Sequence, residues 1–392
     1  MNKKINLAVA GALLVAASAA NAGIIIPAGE WTIDINGNVN AFATAANYDD
    51  SNATTTIVGG LTGIKSGTDD SSVGINTGLL PSWLGFTGTT RQNDLDVSWT
   101  ISFQPNASDN EAAGDDSTPK NRQAFLTFGD KSWGSFKLGK DLGLFAGDAI
   151  LNDMTLLGVG AGGGTSGGKT SLGGIGYGYI YPAWHGQVTY TTPNMNGLQA
   201  SIGLFNPSQV SNDGTGATGF QDQFGLQAKA SYAFNAGAAT GKVWVSGASY
   251  NVTDTVDYDV SAIDVGVNVN FNNFGLTGYY YNGDGAGTTF LGAQGVADSG
   301  DERDSDGGYL QATYVIPTGT KLGVAYGVSR LDATAIDATT LLDENNRWTV
   351  GAYHPLTKHL NLVAEYNMIE SKNHAGDSDE ADAISLGAIL FF

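Results

Sequence analysis

The chain contains no cysteine. Disulfides therefore play no part in its stability, and it offers neither a thiolate metal site nor a thiol nucleophile. Basic residues are scarce, 18 Lys and Arg against 38 Asp and Glu, for a net charge of −20. With no basic patch such a polyanion repels nucleic acid, which is excluded as a partner. The four histidines (His185, His354, His359 and His374) are scattered, and no Ser, His and Asp combination has a spacing that suggests nucleophilic catalysis. No enzyme is expected. Long apolar runs are also missing after the first twenty residues, and mean hydropathy is close to zero. That excludes a bundle of membrane helices, each of which needs about 20 apolar residues. It does not exclude a membrane barrel, whose strands alternate outward apolar with inward polar residues and so average to neutral.

The one apolar run is N-terminal. Asn2-Lys3-Lys4 is a basic start, Ile5 to Ala17 is apolar, and Ala20-Asn21-Ala22 has the small-x-small form of a cleavage site. Residues 1–22 read as an export signal, with residues 23–392 as a single mature domain. Removing Lys3 and Lys4 from the 18 basic residues leaves 16 against 38 acidic ones, a formal charge of −22.

What the chain has in abundance is glycine, 56 of 392 residues, well above the usual share of about 7%, and a period of two. Trp31, Ile33, Ile35, Val39 and Ala41 share one parity, while Thr32, Asp34, Asn36, Asn38 and Asn40 share the other. Leu95 to Gln104, Gln221 to Phe234, Ser261 to Phe271 and Asn361 to Met368 repeat the pattern. Alternate side chains of a strand point to opposite faces, so each run has one greasy and one wet face. About sixteen such runs follow one another, within the boundary error of reading a single sequence. Short turns such as Gln92-Asn93-Asp94, Asn272-Asn273 and Leu356-Thr357-Lys358 alternate with long polar segments such as 105–120, 206–220 and 282–306. Short connections at one end and long ones at the other are the layout of an outer-membrane barrel. Closure also removes the sheet edges that lipid would not tolerate. The expected fold is all-β, a transmembrane antiparallel barrel of about 16 strands.

Residues 121–164 organise the rest. Two alternating runs joined at Gly129-Asp130-Lys131-Ser132 form a hairpin, and a segment with helical spacing (Leu144, Ile150, Leu151, Met154, Leu157) follows before dissolving into glycines. A loop of this length, about 141–170, is usually functional. It is expected to fold into the bore after the fifth strand and set the pore's width and charge.

With these pieces placed, the chain resembles the Gram-negative general porins, a family of trimeric sixteen-stranded barrels. Trp83-Leu84-Gly85-Phe86-Thr87-Gly88-Thr89 looks like that family's second strand. Asn121 to Leu126 with Gly134 to Lys140 looks like its fourth and fifth, and Asp148 to Met154 like the acidic start of its constriction loop. The resemblance implies that Arg122 and Lys140 belong to the basic wall of the constriction and Asp153 to its acidic side; Asp148, a second carboxylate of the same loop, is expected at the constriction with them. It also implies a homotrimer in the outer membrane. The chain departs from the pattern at Trp83, where the family usually has Arg, and at Leu156-Leu157, where a second loop acid is expected.

Asp34, Asp96, Asp264 and Glu365 fall on inward-facing positions and, with Asp148 and Asp153, outnumber Arg122, Lys140 and Lys229. Rings of charge select ions, so a mild cation preference is expected, with Asp34, Trp83, Asp96, Lys229, Asp264 and Glu365 on the pore wall. Other motifs weaken on inspection. GGTSGGKT at Gly163 to Thr170 fits a P-loop and Gly158 to Gly163 fits GxGxxG, but the glycines that follow would not hold the helix both motifs need. Glu302 to Gly307 echoes a calcium loop, yet position twelve is Thr313 where a glutamate is required. No cofactor is expected, beyond loose Ca²⁺ or Mg²⁺ bridging of the acidic segments Asp298 to Asp306 and Asp377 to Asp382 to lipopolysaccharide phosphates. The expectation is a passive diffusion channel for small hydrophilic solutes and ions. The alternatives are a substrate-selective channel and a non-conducting structural or adhesion barrel.

Overall fold

A computed structural model describes residues 23–50, 57–62, 70–105, 107, 120–162, 170–207, 223–253 and 257–392. The export signal (1–22) and most of the P-loop-like run (163–169) lie outside the described residues.

Eighteen β segments join in one closed antiparallel sheet. They resolve into sixteen staves because two staves are each made of two segments. The long strand β2 (Trp31–Asp50) pairs with β18 (Ser378–Phe391) along Asn38 to Asp50. On its other side it pairs with β4 (Trp83–Gln92) along Thr32 to Asn38 and with β3 (Ser71–Asn76) along Phe42 to Asn47. β3 and β4 are thus one stave interrupted at residues 77–82. β1 (Ile24–Ala28) pairs with Trp31 to Ile35 of β2 on the side away from β4, in line with the end of β18, and completes that stave.

The remaining staves follow in chain order, each pairing with the next. They are β5 (Leu95–Gln104), β6 (Lys120–Asp130), β7 (Gly134–Leu142), β8 (Trp184–Thr191), β9 (Leu198–Phe205), β10 (Gly225–Ala236), β11 (Ala239–Val252), β12 (Tyr258–Phe271), β13 (Phe274–Asp284), β14 (Asp304–Val315), β15 (Lys321–Leu331), β16 (Leu342–Pro355) and β17 (Leu360–Asn373). The tight turns use the residues their backbone demands. Asn93 and Asp94 both have positive φ, 47° and 62°, as the first-choice two-residue hairpin turn requires.

The period-two pattern maps onto the two faces. Ile263, Val265 and Val267 of β12 are exposed, whereas Asp264 and Gly266 between them are buried. Exposed apolar side chains on this scale suit lipid, and the buried set points into the bore. No described helix is long and apolar enough to cross a membrane. The main apolar cluster lies inside the barrel, where Leu79, Phe145, Ile150, Leu156, Tyr179 and Ile180 pack on Trp244, Tyr250, Tyr279, Tyr281 and Tyr309 of the wall.

Candidate constriction site

The segment between β7 and β8 enters the bore, and the wall supplies the hydrogen bonds that an irregular backbone needs there. Leu144 N donates to Gln227 Oε1 of β10 (2.7 Å), and Ala146 N to Asp264 Oδ2 of β12 (2.9 Å). The helical spacing resolves into only a short helix, α1 (Gly147–Asn152), followed by a 3-10 turn at Met154–Leu157. The break is at Asp153, which is extended and caps the turn by accepting from Thr155 N. On β14, Tyr309 donates to Ala149 O (2.8 Å) and Gln311 Nε2 to Asn152 O (2.6 Å), while Gln311 Oε1 accepts from Met154 N (2.8 Å). Glu365 Oε2 of β17 then takes Val159 N (3.0 Å) and Gly160 N (2.8 Å). Leu79 N and Leu80 N, in the interruption of the second stave, reach Gly158 O and Leu156 O. The loop therefore crosses the whole bore.

Close approach explains two of its glycines. A Cβ on Gly158 would lie 1.9 Å from Glu365 Oε1, and Gly160 has φ +60° and leaves no room beside Arg347. The described part of the GxGxxG run, Gly158 to Gly162, thus serves contact with the wall.

Asp148, in the first turn of α1, pairs with Lys229 of β10 (3.0 Å) and with Lys242 of β11. Burial pushes its carboxyl up, but the two ammonium groups outweigh that and hold it below the ordinary value. Asp153 is also buried. It accepts from Thr155 N (2.9 Å) and Oγ1 (2.7 Å), Gly174 N (2.9 Å) and Tyr179 OH (2.8 Å), with Arg347 Nη2 of β16 at 3.7 Å. Its carboxylate is enclosed within the loop and does not face open water. Asp264 accepts from Ser246 N (2.9 Å), Ser246 Oγ (2.7 Å) and Tyr279 OH (3.1 Å) besides Ala146 N. Glu365 accepts from Tyr353 OH (2.7 Å) besides its two loop amides. Both acids are inward, and both act as pegs for the loop.

Lys140 corrects the expectation drawn from the resemblance. It pairs in register with the outward Ala124, is exposed, and donates to Asn121 O (2.9 Å). Strand parity places Lys137, three residues earlier, on the inner face, where it pairs with Asp141 and lies over the Phe125 ring at 5.0 Å. Arg122 sits at a bulge, where Ser102 pairs with Gln123 but Phe103 with Asn121, leaving Arg122 as the extra residue. Its backbone N–H donates to Gln104 Oε1 (3.1 Å).

Asp34 is inward at the short-turn end of β2. Asp96 has inward parity but sits exposed at the rim, paired with Arg91 (2.7 Å), which also holds Asp130 (3.0 Å). Trp83 is buried, donates from Nε1 to Asn36 Oδ1 (3.3 Å) and meets Phe391 edge-on. Gln227, Lys242, Gln311 and Arg347 escaped the sequence reading. Their signal was inward parity on a strand, shared with many residues that only face water.

Among the described residues, a small opening lies against the wall of β2, β4, β5 and β6. It is lined by Asn36, Trp83, Gly85, Thr87, Thr100, Gln104, Gln123 and Phe125 of that wall, with Pro81 in the interruption of the second stave and Trp184 at the start of β8. None of these side chains is charged.

A sequence profile described as Gram-negative porin matches residues 8–374. No curated protein sequence matches the chain. Among solved structures, the outer membrane channel DcaP of Acinetobacter baumannii is similar with a TM-score of 0.71 at 17% identity, covering 95% of this chain and 100% of that one. The anion-selective porin from Comamonas acidovorans gives 0.64 at 17% identity, covering 93% and 100%. In-vitro folded OmpT of Vibrio cholerae, in its trimer form, gives 0.56 at 16% identity, covering 92% and 99%. At these identities the likeness is one of fold.

Proposed function

Because the chain belongs to the Gram-negative porin family, and is therefore an outer-membrane channel and not an enzyme, we propose that it is a passive, water-filled pore for small hydrophilic solutes and ions. Its neck is the opening between the inserted loop and the β2 to β6 wall. The observation that carries this reading is the stitching of the loop to Gln227, Asp264, Gln311 and Glu365, which fixes it inside the bore, where it narrows the passage.

Ion selectivity is weak and cation-leaning in this reading. Asp148 is matched by Lys229 and Lys242, and Asp153 has Arg347 within 3.7 Å. Asp264 and Glu365 have no basic side chain within ion-pair distance among the described residues, so a small negative excess remains in the bore. The assembly is a homotrimer in contact with lipid and lipopolysaccharide, a proposal supported by the trimer form of the Vibrio relative.

Reconstitution in planar bilayers tests the whole reading. Ohmic conductance in groups of three steps is expected, with a zero-current potential on the cation side across a salt gradient. A strong anion preference would overturn the charge argument. A correctly inserted barrel that does not conduct would replace the channel by a structural surface barrel.

A further inference from the structure

Granting the channel reading, we propose that residues 285–303 form a lid over the constriction loop, fastened shut by one ion pair, Arg303 with Asp337. The segment joins β13 to β14. Long connections of such barrels ordinarily run over the outer surface, in water. This one turns inward. Ala286, Thr288, Leu291 and Val296 are buried, and Ala286 and Leu291 belong to the apolar cluster inside the barrel.

Its hold on the layer beneath is light. Tyr181 N, on the limb by which the constriction loop returns to β8, donates to Thr289 O (2.8 Å), and the Tyr181 and Phe290 rings meet edge-on at 5.7 Å. Tyr250 OH, on β11, donates to Leu291 O (2.9 Å). Between Gly285 and Gly300 the large apolar side chains are Phe290, Leu291 and Val296, little apolar area to hold a segment of this length. The segment leaves β13 through Gly285 (φ +65°) and Gly287 (φ +68°), a backbone that other residues rarely adopt and that suits a hinge.

The strong tie is at the other end. Arg303 donates from Nε to Asp337 Oδ2 (2.8 Å) and from Nη2 to Asp337 Oδ1 (2.6 Å), while Nη1 donates to Gln294 O (2.8 Å) and Val296 O (2.8 Å). The guanidinium thus holds its own segment by two carbonyls and the neighbouring connection by a bidentate carboxylate. Both side chains are buried, 9% and 8% exposed. Asp337 is fixed in turn by Thr334 N (2.8 Å) and Oγ1 (3.0 Å). Its connection, between β15 and β16, is braced against the segment before β3, where Val58 N donates to Thr340 O (2.9 Å) and Leu342 N to Val58 O (2.9 Å). Arg303 holds the Asp337 carboxyl well below the usual carboxylate range, so mild acid leaves the tie intact. Loss of either charge would leave the other buried and unpaired, which is costly. Raising the lid into water relieves that cost.

Because the chain has no cysteine, a removable lock can be built where lid and loop meet, with Tyr181→Cys and Phe290→Cys. In planar bilayers Arg303→Gln is expected to raise the conductance of the full-length protein at least about twofold, since a wider outer mouth passes more current. Adding the lock to Arg303→Gln is expected to return the wild-type conductance when oxidised and the raised one when reduced, which a misfolded variant would not do. Chymotrypsin reads the lid without reference to current, with cleavage after Phe290 or Leu291 expected in Arg303→Gln and protection in the wild type. Unchanged conductance in a conducting Arg303→Gln, or a rise that the oxidised lock fails to reverse, would overturn the proposal, as would protection of the variant from chymotrypsin. Cleavage of the variant alone, with no salt current from either protein, would keep the lid and remove the channel reading on which its role rests.

Discussion

The two sides of the bore are built from the same strand pattern and put to opposite uses. Along β10 to β17 the inward polar residues hold the inserted loop, and buried tyrosines (Tyr279, Tyr281, Tyr309 and Tyr353) fill the space behind it. Along β2 to β6 the inward residues are threonines, glutamines and asparagine that line an opening. The crowded side carries Asp264 and Glu365, and the residues that line the opening include no acid. Asp264 and Glu365 thus mark where the loop is fastened to the wall.

The sharpest way to break that contrast is to unfasten the loop. Asp264→Ala leaves Ala146 N, Ser246 N and Oγ and Tyr279 OH without their acceptor. At about 1–3 kcal/mol for each buried group left unpaired, the loop is expected to detach, raising conductance and exposing residues 143–162 to protease. Unchanged conductance would mean that the loop does not narrow the pore.

A smaller effect is expected at Asp153. Asp153→Asn keeps one acceptor for the turn but weakens the contact with Arg347, costing roughly 1–3 kcal/mol by the same reasoning. Because the group is enclosed, the zero-current potential should scarcely move while the unfolding midpoint falls. A large loss of cation preference would put Asp153 back on the solute path.

Acid separates the two sides by another route. The Asp148 carboxyl is held below its ordinary value of 3.8. A folded-state pKa lower than the unfolded one contributes stability that is complete above the unfolded value and is lost as pH falls through the folded one. The anchoring that Asp148 supplies is therefore expected to persist through mildly acid buffers and to be lost only below the ordinary carboxylate range. An acid-induced loss that Lys242→Met leaves at the same pH would contradict the pairing with Lys229 and Lys242.

The smallest change is expected from Lys140→Met. An exposed outward lysine contributes within about 0.5 kcal/mol and nothing to selectivity. Lys137→Met, which strips Asp141 of its partner, is expected to shift the zero-current potential towards cations. If the two variants exchanged these results, the face assigned to each lysine would be reversed.

Much of this was legible in the residues. Strand positions such as β4, β5, β7, β13, β15 and β17 follow from the period of two, and the hairpin turns follow from their Asn, Asp and Gly residues. β1 and β3 were invisible because five or six residues, Ile24–Ala28 and Ser71–Asn76, are too short to show a period. Lys140 was misplaced because Gly139-Lys140 matched a family pattern, while the face of a strand residue depends on register to within a single position. The role of Asp264 and Glu365 could not be read at all. Their partners are backbone amides of the loop, which carry no side-chain signature in the sequence.

One feature of the fold bears on how the barrel comes into being. The seam between β2 and β18 joins residues far apart in the chain, with Thr44 and Ser385 hydrogen-bonded at 2.8 Å across a separation of 341 residues. Every other stave can zip onto its predecessor through a local hairpin or loop, but this pairing waits until the whole sheet has curled round. Contacts of such long range form slowly. Until they do, two strand edges with unpaired backbone groups face a solvent that cannot satisfy them. The rate of assembly should therefore answer to substitutions along this one line, such as Thr44→Val, more than to equal changes in any neighbouring hairpin.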